Sequence, residues 1–135
     1  MANWLAIGPA ENWQIGIKKK TWAVSPAQQK TWEKLASGDL VFFYATAPVK
    51  GIIGYGRIAR TDVDETPFWP EEKRKGHTLW PFRIAFSEIT FISVKDWESK
   101  KIAPKRQGIV FQRALQPAAD EAANLWLKAL AKVAV

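Results

Sequence analysis

The sequence predicts an α+β domain, a small mixed β-barrel whose short strands curve around one core with three or more helices outside it. Three observations carry that expectation. Apolar stretches of strand length recur along the chain, and none approaches the roughly 20 residues that a membrane span needs. Helix-start signals, Pro or Ser followed by acidic or amide side chains, lie between them. A length of 135 residues, 47% hydrophobic and 24% charged, suits one globular domain over 1–135 rather than a disordered chain.

Residues 3–8 (NWLAIG) read as a short buried strand, broken by Gly8-Pro9, after which a helix carries Trp13 and Ile17 on one face. Lys18, Lys19 and Lys20 close that helix, where the terminal carbonyls favour cations. Thr21 to Val24 form a short extended piece. Ser25 as N-cap, Pro26 at the first helical position and Gln28 as capping-box partner predict a helix through Trp32 and Leu35 that stops at Gly38. Leu40 to Thr46 are apolar on both faces, as in a central strand covered on both sides.

The turn at Ala47-Pro48 leads into a strand over 51–60, where Gly51, Gly54 and Gly56 permit sharp curvature or a close neighbour. Residues 61–80 are expected to be a long polar loop, of a length usually kept for function. Phe82, Ile84 and Phe86 alternate, but the pattern resumes out of phase at Ile89 and Phe91, which predicts a bulge or break near Ser87-Glu88. A basic, weakly periodic stretch follows from Lys95 to Gln107. The last helix is expected to start at Pro117, with Asp120 and Glu121 in its first turn and Lys128 and Lys132 near its end.

The balance of 20 Lys+Arg against 13 Asp+Glu gives a net charge of +7, and the chain holds eight Trp. Basic side chains attract phosphate and flat rings stack on bases, so the pair of features points to nucleic acid. Tryptophans filling a small core, with charge serving solubility, explain the same composition equally well. With no Cys there is no disulfide, thiolate nucleophile or cysteine metal site, and one His cannot build a multi-histidine zinc site. The opening MANWLAI has no basic segment before its apolar residues, so no signal peptide is expected, and the chain is expected to be soluble and cytoplasmic, with no membrane partner.

Catalytic equipment is sparse. Asp62, Asp64, Glu65 and the pair Glu71-Glu72 form an acidic set that could hold Mg²⁺ or do acid/base work. No His, phosphate loop or nucleophile elbow accompanies them, so they are expected on a solvated surface. His77 is expected in a loop, touching solvent or phosphate. No dinucleotide fingerprint exists, since Gly54-Tyr-Gly-Arg has the wrong spacing. The expectation is a non-enzyme with no cofactor and no metal.

Binding chemistry is better supplied. Basic residues cluster at Lys18–Lys20, at Lys73, Arg74 and Lys75, and from Lys100 to Arg106. Trp22 adjoins the first cluster, and Trp69 and Trp80 bracket the second. A Trp in an irregular segment beside Pro is harder to explain as core than one on a helix face. Trp13, Trp32 and Trp126 are therefore assigned to packing, with Trp4 and Trp97 leaning the same way. Trp22, Trp69 and Trp80 are the candidates for an exposed pocket.

Asn12-Trp13, the run from Lys20 to Pro26 (KTWAVSP), Gly38 to Tyr44 (GDLVFFY), Gly51 to Gly54 (GIIG) and Trp80 to Arg83 (WPFR) together resemble an EVE domain over about residues 3–94. EVE domains belong to the PUA-like superfamily and are related to YTH domains. The resemblance implies a curved barrel of five or six strands with flanking helices. It also implies a pocket for a flipped-out modified base in DNA or RNA, N6-methyladenine in YTH domains and modified cytosine or adenine in EVE domains. On the same basis Trp22 would be the cage Trp, and Asn12 the side chain that hydrogen-bonds the base edge. Trp69 would be the second wall and Trp80 a third. Ser25 lies near the implied pocket, although capping is its more direct role, and Thr46 at the strand end is a further candidate. Lys18, Lys19, Lys20, Lys73, Arg74 and Lys75 would meet phosphates. The residues themselves leave open two other readings, a module for unmodified structured RNA and a pocket for a small nucleobase-like molecule.

Overall fold

The computed structural model describes residues 1–104 and 108–134. The chain runs through β1 (Asn3–Gly8), α1 (Ala10–Lys19) and β2 (Thr21–Val24), then a 3₁₀ turn (Pro26–Gln28) leading into α2 (Gln29–Trp32). β3 (Leu40–Ala45), β4 (Gly51–Val63), α3 (Pro70–Lys75) and β5 (Phe82–Phe91) follow. A second 3₁₀ turn (Val94–Asp96), α4 (Trp97–Lys100), β6 (Leu115–Pro117) and α5 (Asp120–Ala131) complete it.

The strands form one six-stranded sheet in the order β2-β5-β4-β3-β1-β6. β1 runs parallel to β3, and every other neighbouring pair is antiparallel. The sheet curls into a half-barrel with β2 and β6 as its two edges, the mixed α+β barrel that the pattern of short strands predicts. β3 is buried along its whole length, as its two apolar faces require. Leu5, Phe42, Phe43, Ile52, Ile53, Ile58 and Ile84 fill the core between the sheet and the helices. Among the described residues, no helix is long and apolar enough to cross a membrane.

Asp39 fixes the start of the central strand. Its carboxylate accepts hydrogen bonds from the Ala2 N–H (2.9 Å), the Trp4 indole N–H (2.9 Å) and the Ala36 N–H (3.0 Å). Burial alone would raise its pKa, but these donors and the nearby N-terminal charge hold it below the ordinary carboxylate value.

The phase slip in β5 is a bulge within a continuous strand. Arg57 pairs with Glu88 while Ile58 pairs with Phe86, so Ser87 is the extra residue. Gly54 is needed for close approach, because a Cβ there would lie 2.5 Å from the Thr90 carbonyl oxygen and 2.9 Å from the Phe91 Cα.

Four stretches of the chain differ from the sequence expectation. The helix after Ser25 is a 3₁₀ turn followed by a single α-turn ending at Trp32, and Ser25 makes no side-chain cap bond. The Ser25 carbonyl already accepts the Gln28 N–H (2.9 Å), which leaves that donor unavailable to its hydroxyl. β4 runs on to Val63, pairing with Phe82, and α3 occupies the middle of the expected loop 61–80. Residues 94–100 contain two short helical turns, whereas Lys105 and Arg106 of the third basic cluster, and Gln107 at the end of the basic stretch, lie outside the described residues. Pro117 ends an edge strand opposite Trp4 rather than starting a helix, and α5 begins at Asp120. Proline is tolerated there because an edge strand leaves one row of N–H groups unpaired.

Replacing Gly54 by Ala is expected to destabilise the domain by about 1–3 kcal/mol through overpacking against the β5 backbone. Urea denaturation monitored by tryptophan fluorescence measures it.

Candidate functional site

The site is seated on stacked indoles. Trp13, on the inner face of α1, donates its indole N–H to the Tyr44 carbonyl at 2.8 Å and packs on Phe43 at 4.4 Å. Trp22, from β2, stacks on Trp13 with ring centroids 3.5 Å apart and planes within 11°. Two glycines make room for that ring. A Cβ on Gly8 would come within 2.5 Å of the Trp22 ring, and one on Gly16 within 3.1 Å. Gly8 therefore does more than end a strand, since its missing side chain seats Trp22. Trp69 then meets Trp22 edge-on, at 4.8 Å and 67°.

Two buried charges of opposite sign hold the segment that carries Trp69 and Trp80. Glu72 is completely buried and accepts four backbone N–H groups. One carboxylate oxygen takes Phe68 (2.9 Å) and Trp69 (2.8 Å); the other takes Leu79 (2.8 Å) and Trp80 (2.9 Å). Burial pushes this carboxyl up, yet the four N–H groups outweigh it and leave the pKa below the ordinary value. Arg83, also buried, donates to the carbonyls of Trp80 (3.2 Å) and Asp64 (3.2 Å) and to that of Thr66, and its guanidinium lies 5.0 Å from the Phe68 ring centre. The two side chains turn an otherwise irregular segment into a fixed wall.

Between this wall and the β1–α1 and β2–3₁₀ junctions lies a cavity of about 350 Å³. That volume falls in the range of small-molecule pockets, roughly 300–1,000 Å³. Asn12, Trp22, Ser25, Trp69 and Trp80 all line it, so the fold gathers five of the six sequence-nominated base contacts around one space. Within the described residues, neither the Asn12 amide nor the Ser25 hydroxyl makes a hydrogen bond, so both remain available to an occupant. Glu11, Glu71 and Arg74 supply charge at the same cavity.

The nominated residues are not equivalent. Trp80 is half-buried, whereas Trp22 and Trp69 are only 4% and 3% exposed, more core than open platform. Thr46 does not line the cavity; its N–H donates to the Gly8 carbonyl at 3.0 Å. Of the basic residues, Arg74 reaches the cavity, while Lys73 is exposed on α3 and Lys75 pairs with Glu71 at 3.1 Å. Lys18, Lys19 and Lys20 are exposed where α1 ends, and Lys19 faces a separate cleft with Arg60, Asp62, Asp64 and Arg83. Trp4, Trp13, Trp97 and Trp126 are buried, and Trp32 packs on Phe82, as their assignment to packing requires.

Among the acidic residues, Asp62, Asp64 and Glu65 are exposed and Glu71 is partly so. Glu72 departs from the solvated surface expected for it. Its signal was present in Trp69-Pro-Glu-Glu72, which places Pro at the first helical position and Glu at the third, with Gly76 as the left-handed cap (φ 74°). His77 is exposed, with its ring 3.2 Å from the Lys75 carbonyl. Among the described residues, no group of three His, Asp or Glu side chains is arranged to hold a metal ion.

Because the folded pKa of Glu72 is below the ordinary 4.5, its contribution is complete above that value and is lost as pH falls through the folded pKa. Acid unfolding of the unaltered chain should therefore steepen below pH 4.5, and Glu72→Gln should flatten that limb. At neutral pH, Glu72→Ala leaves four backbone donors without their acceptor and is expected to cost about 3 kcal/mol or more. Denaturant midpoints measured from acid to neutral pH check both.

Rpa0253 from Rhodopseudomonas palustris, solved by NMR, superposes with a TM-score of 0.62 at 16% identity, over 98% of this chain and 94% of that one. The ASCH protein from Zymomonas mobilis gives 0.62 at 13% identity, over 99% and 96%. The Mmi1 YTH domain, solved in complex with RNA, gives 0.57 at 17% identity, over 98% and 82%. At these identities the likeness is one of fold. No curated protein matches the sequence. The family model of the EVE domain matches residues 2–125, nearly the whole chain, so this chain belongs to the EVE domain family.

Proposed function

We propose that this EVE domain is a non-catalytic nucleic-acid-binding module that reads a modified base, a methylated one, flipped out of its strand into the cavity. The supporting observation is the cavity's composition: three indoles together with the unspent hydrogen-bonding groups of Asn12 and Ser25. The net charge of +7 and a fold shared with a YTH domain solved with RNA support the same reading.

The energetics define what each part must supply. Stacking on an aromatic ring gains about 1–3 kcal/mol per base. Extruding a base from a duplex costs a few kcal/mol. These terms nearly cancel, so phosphate contacts from Arg74, Lys73 and the lysines closing α1 provide the net affinity. One buried methyl contributes only about 0.8 kcal/mol, roughly fourfold. Sharper selection needs a cavity that fits the methyl and leaves an unmodified base partly hydrated.

The rings of Trp22 and Trp69 already touch, at 4.8 Å between centroids. A base held between two parallel faces needs about 7 Å, twice a carbon–carbon contact. In this reading the base therefore lies against Trp80 and the cavity-facing edges of the other two indoles. Trp22→Ala would remove a ring stacked on Trp13, so Trp80 and Asn12 are the cleaner positions to alter.

Fluorescence anisotropy with matched oligonucleotides carrying cytosine, 5-methylcytosine, adenine or N6-methyladenine tests the proposal. One modified oligonucleotide should bind several-fold tighter than its unmodified partner. Asn12→Ala and Trp80→Ala should each abolish that preference without lowering the melting temperature by more than a few degrees. Equal binding of all four, unchanged by either substitution, would sink the base-reading proposal and leave the basic surface as the binding element. Affinity should also fall with salt, and Arg74→Ala should reduce the log–log slope by about 0.7 for a single strand. An unchanged slope removes Arg74 from the phosphate contacts.

A further inference from the structure

Most exposed apolar side chains here are scattered singly, but Val110 and Phe111 form a pair on one turn, 45% and 52% exposed. That turn is held from below. Gln116, buried in β6, accepts the Val110 N–H at 2.9 Å and donates to the carbonyls of Val110 (2.7 Å) and Arg113 (2.8 Å). A buried side chain thus commits three hydrogen bonds to a turn that presents an aromatic ring to solvent. The ring is also braced, tilted at 60° against Tyr44 with centroids 5.3 Å apart.

The turn is continuous with the cavity. Ala114, three residues beyond Phe111, lines it and accepts the Ile7 N–H at 2.8 Å. Ile7 lines it too, and is the sheet partner of Tyr44. Arg113, two residues after Phe111 and exposed, adds a positive charge to the same turn.

We propose that Phe111 is a second base contact, a platform on which the nucleotide next to the one in the cavity stacks, with Arg113 meeting the intervening phosphate. This rests on the nucleic-acid reading above and adds a residue outside the cavity. A base fits this surface because it combines a flat face with an adjoining negative charge. Holding the ring out on a braced turn also lowers the entropy lost when a base settles on it.

The test compares short single-stranded DNA and RNA carrying the preferred base with the nucleoside 5′-monophosphate of that same base, by anisotropy competition. Phe111→Ala should weaken the oligonucleotide by about 5- to 100-fold, the range of one stacking contact, and leave the monophosphate unchanged. Phe111→Tyr should retain the oligonucleotide affinity. If Phe111→Ala binds the oligonucleotide as the unaltered chain does, the platform is refuted while the cavity reading stands. Equal loss of both ligands would refute it as well, because the residue would then act on the cavity. If the unaltered chain binds neither ligand, the nucleic-acid reading fails and the platform fails with it. Unchanged oligonucleotide binding with Phe111-dependent self-association would reassign the turn to a protein contact.

Discussion

The stack of Trp22 on Trp13 is the contact on which the rest of the site depends. It joins three elements at one point: α1 supplies Trp13, β2 supplies Trp22, and the Tyr44 carbonyl of β3 fixes the height of Trp13 through its indole N–H. Gly8 and Gly16 exist at their positions to admit it. Aromatic contacts continue outward to Trp69 and Phe68, and inward through Phe43 to Phe86. A rigid interior of this kind transmits displacement rather than absorbing it. Any shift of Trp13 is therefore felt at the cavity, although Trp13 does not line it.

The second constraint is electrostatic. The wall between β4 and β5 has little regular structure of its own, and its backbone groups need partners. Glu72 provides an acceptor for four N–H groups, while Arg83 donates to three carbonyls and pairs with the Asp64 carboxylate at 3.8 Å, so neither buried charge is neutralised by the other. This solvation by fixed dipoles explains why a carboxylate with no exposed surface remains ionised. It also ties the backbones of Trp69 and Trp80 to one carboxylate without a covalent link.

Much of the architecture was legible in the sequence. The two-faced apolarity of Leu40 to Ala45 marks the central strand, and the phase slip around Ser87 marks the bulge, because both follow from strand periodicity. The chain order of Asn12, Trp22, Trp69 and Trp80 did not by itself say that they surround one cavity; that follows from how the sheet brings β1, β2 and the 64–80 segment together. The burial of Trp22 and Trp69 was illegible for a related reason, since it depends on how α1, β2 and the 64–80 segment pack together, with Trp22 stacked on Trp13 and Trp69 set edge-on against Trp22. β6 was missed because three residues ending in Pro117 carry too short a pattern, and their pairing with β1 spans almost the whole chain. Glu72 shows the opposite case: its helix-start signal was local and complete, but the neighbouring charges of the loop suggested solvent.

The pairing of β6 with β1 has a consequence for how the molecule is made. The parallel β1–β3 pair can form once the first third of the chain exists, but β1 keeps an open edge until the residues near Pro117 arrive. Contacts of such sequence separation form late and slowly. Ala114, which closes one side of the cavity onto Ile7, belongs to that late segment. During synthesis the emerging chain therefore carries a half-built site and an unpaired strand edge together, and both are completed by the same docking event. Truncation before β6 would thus expose an aggregation-prone edge as well as open the pocket.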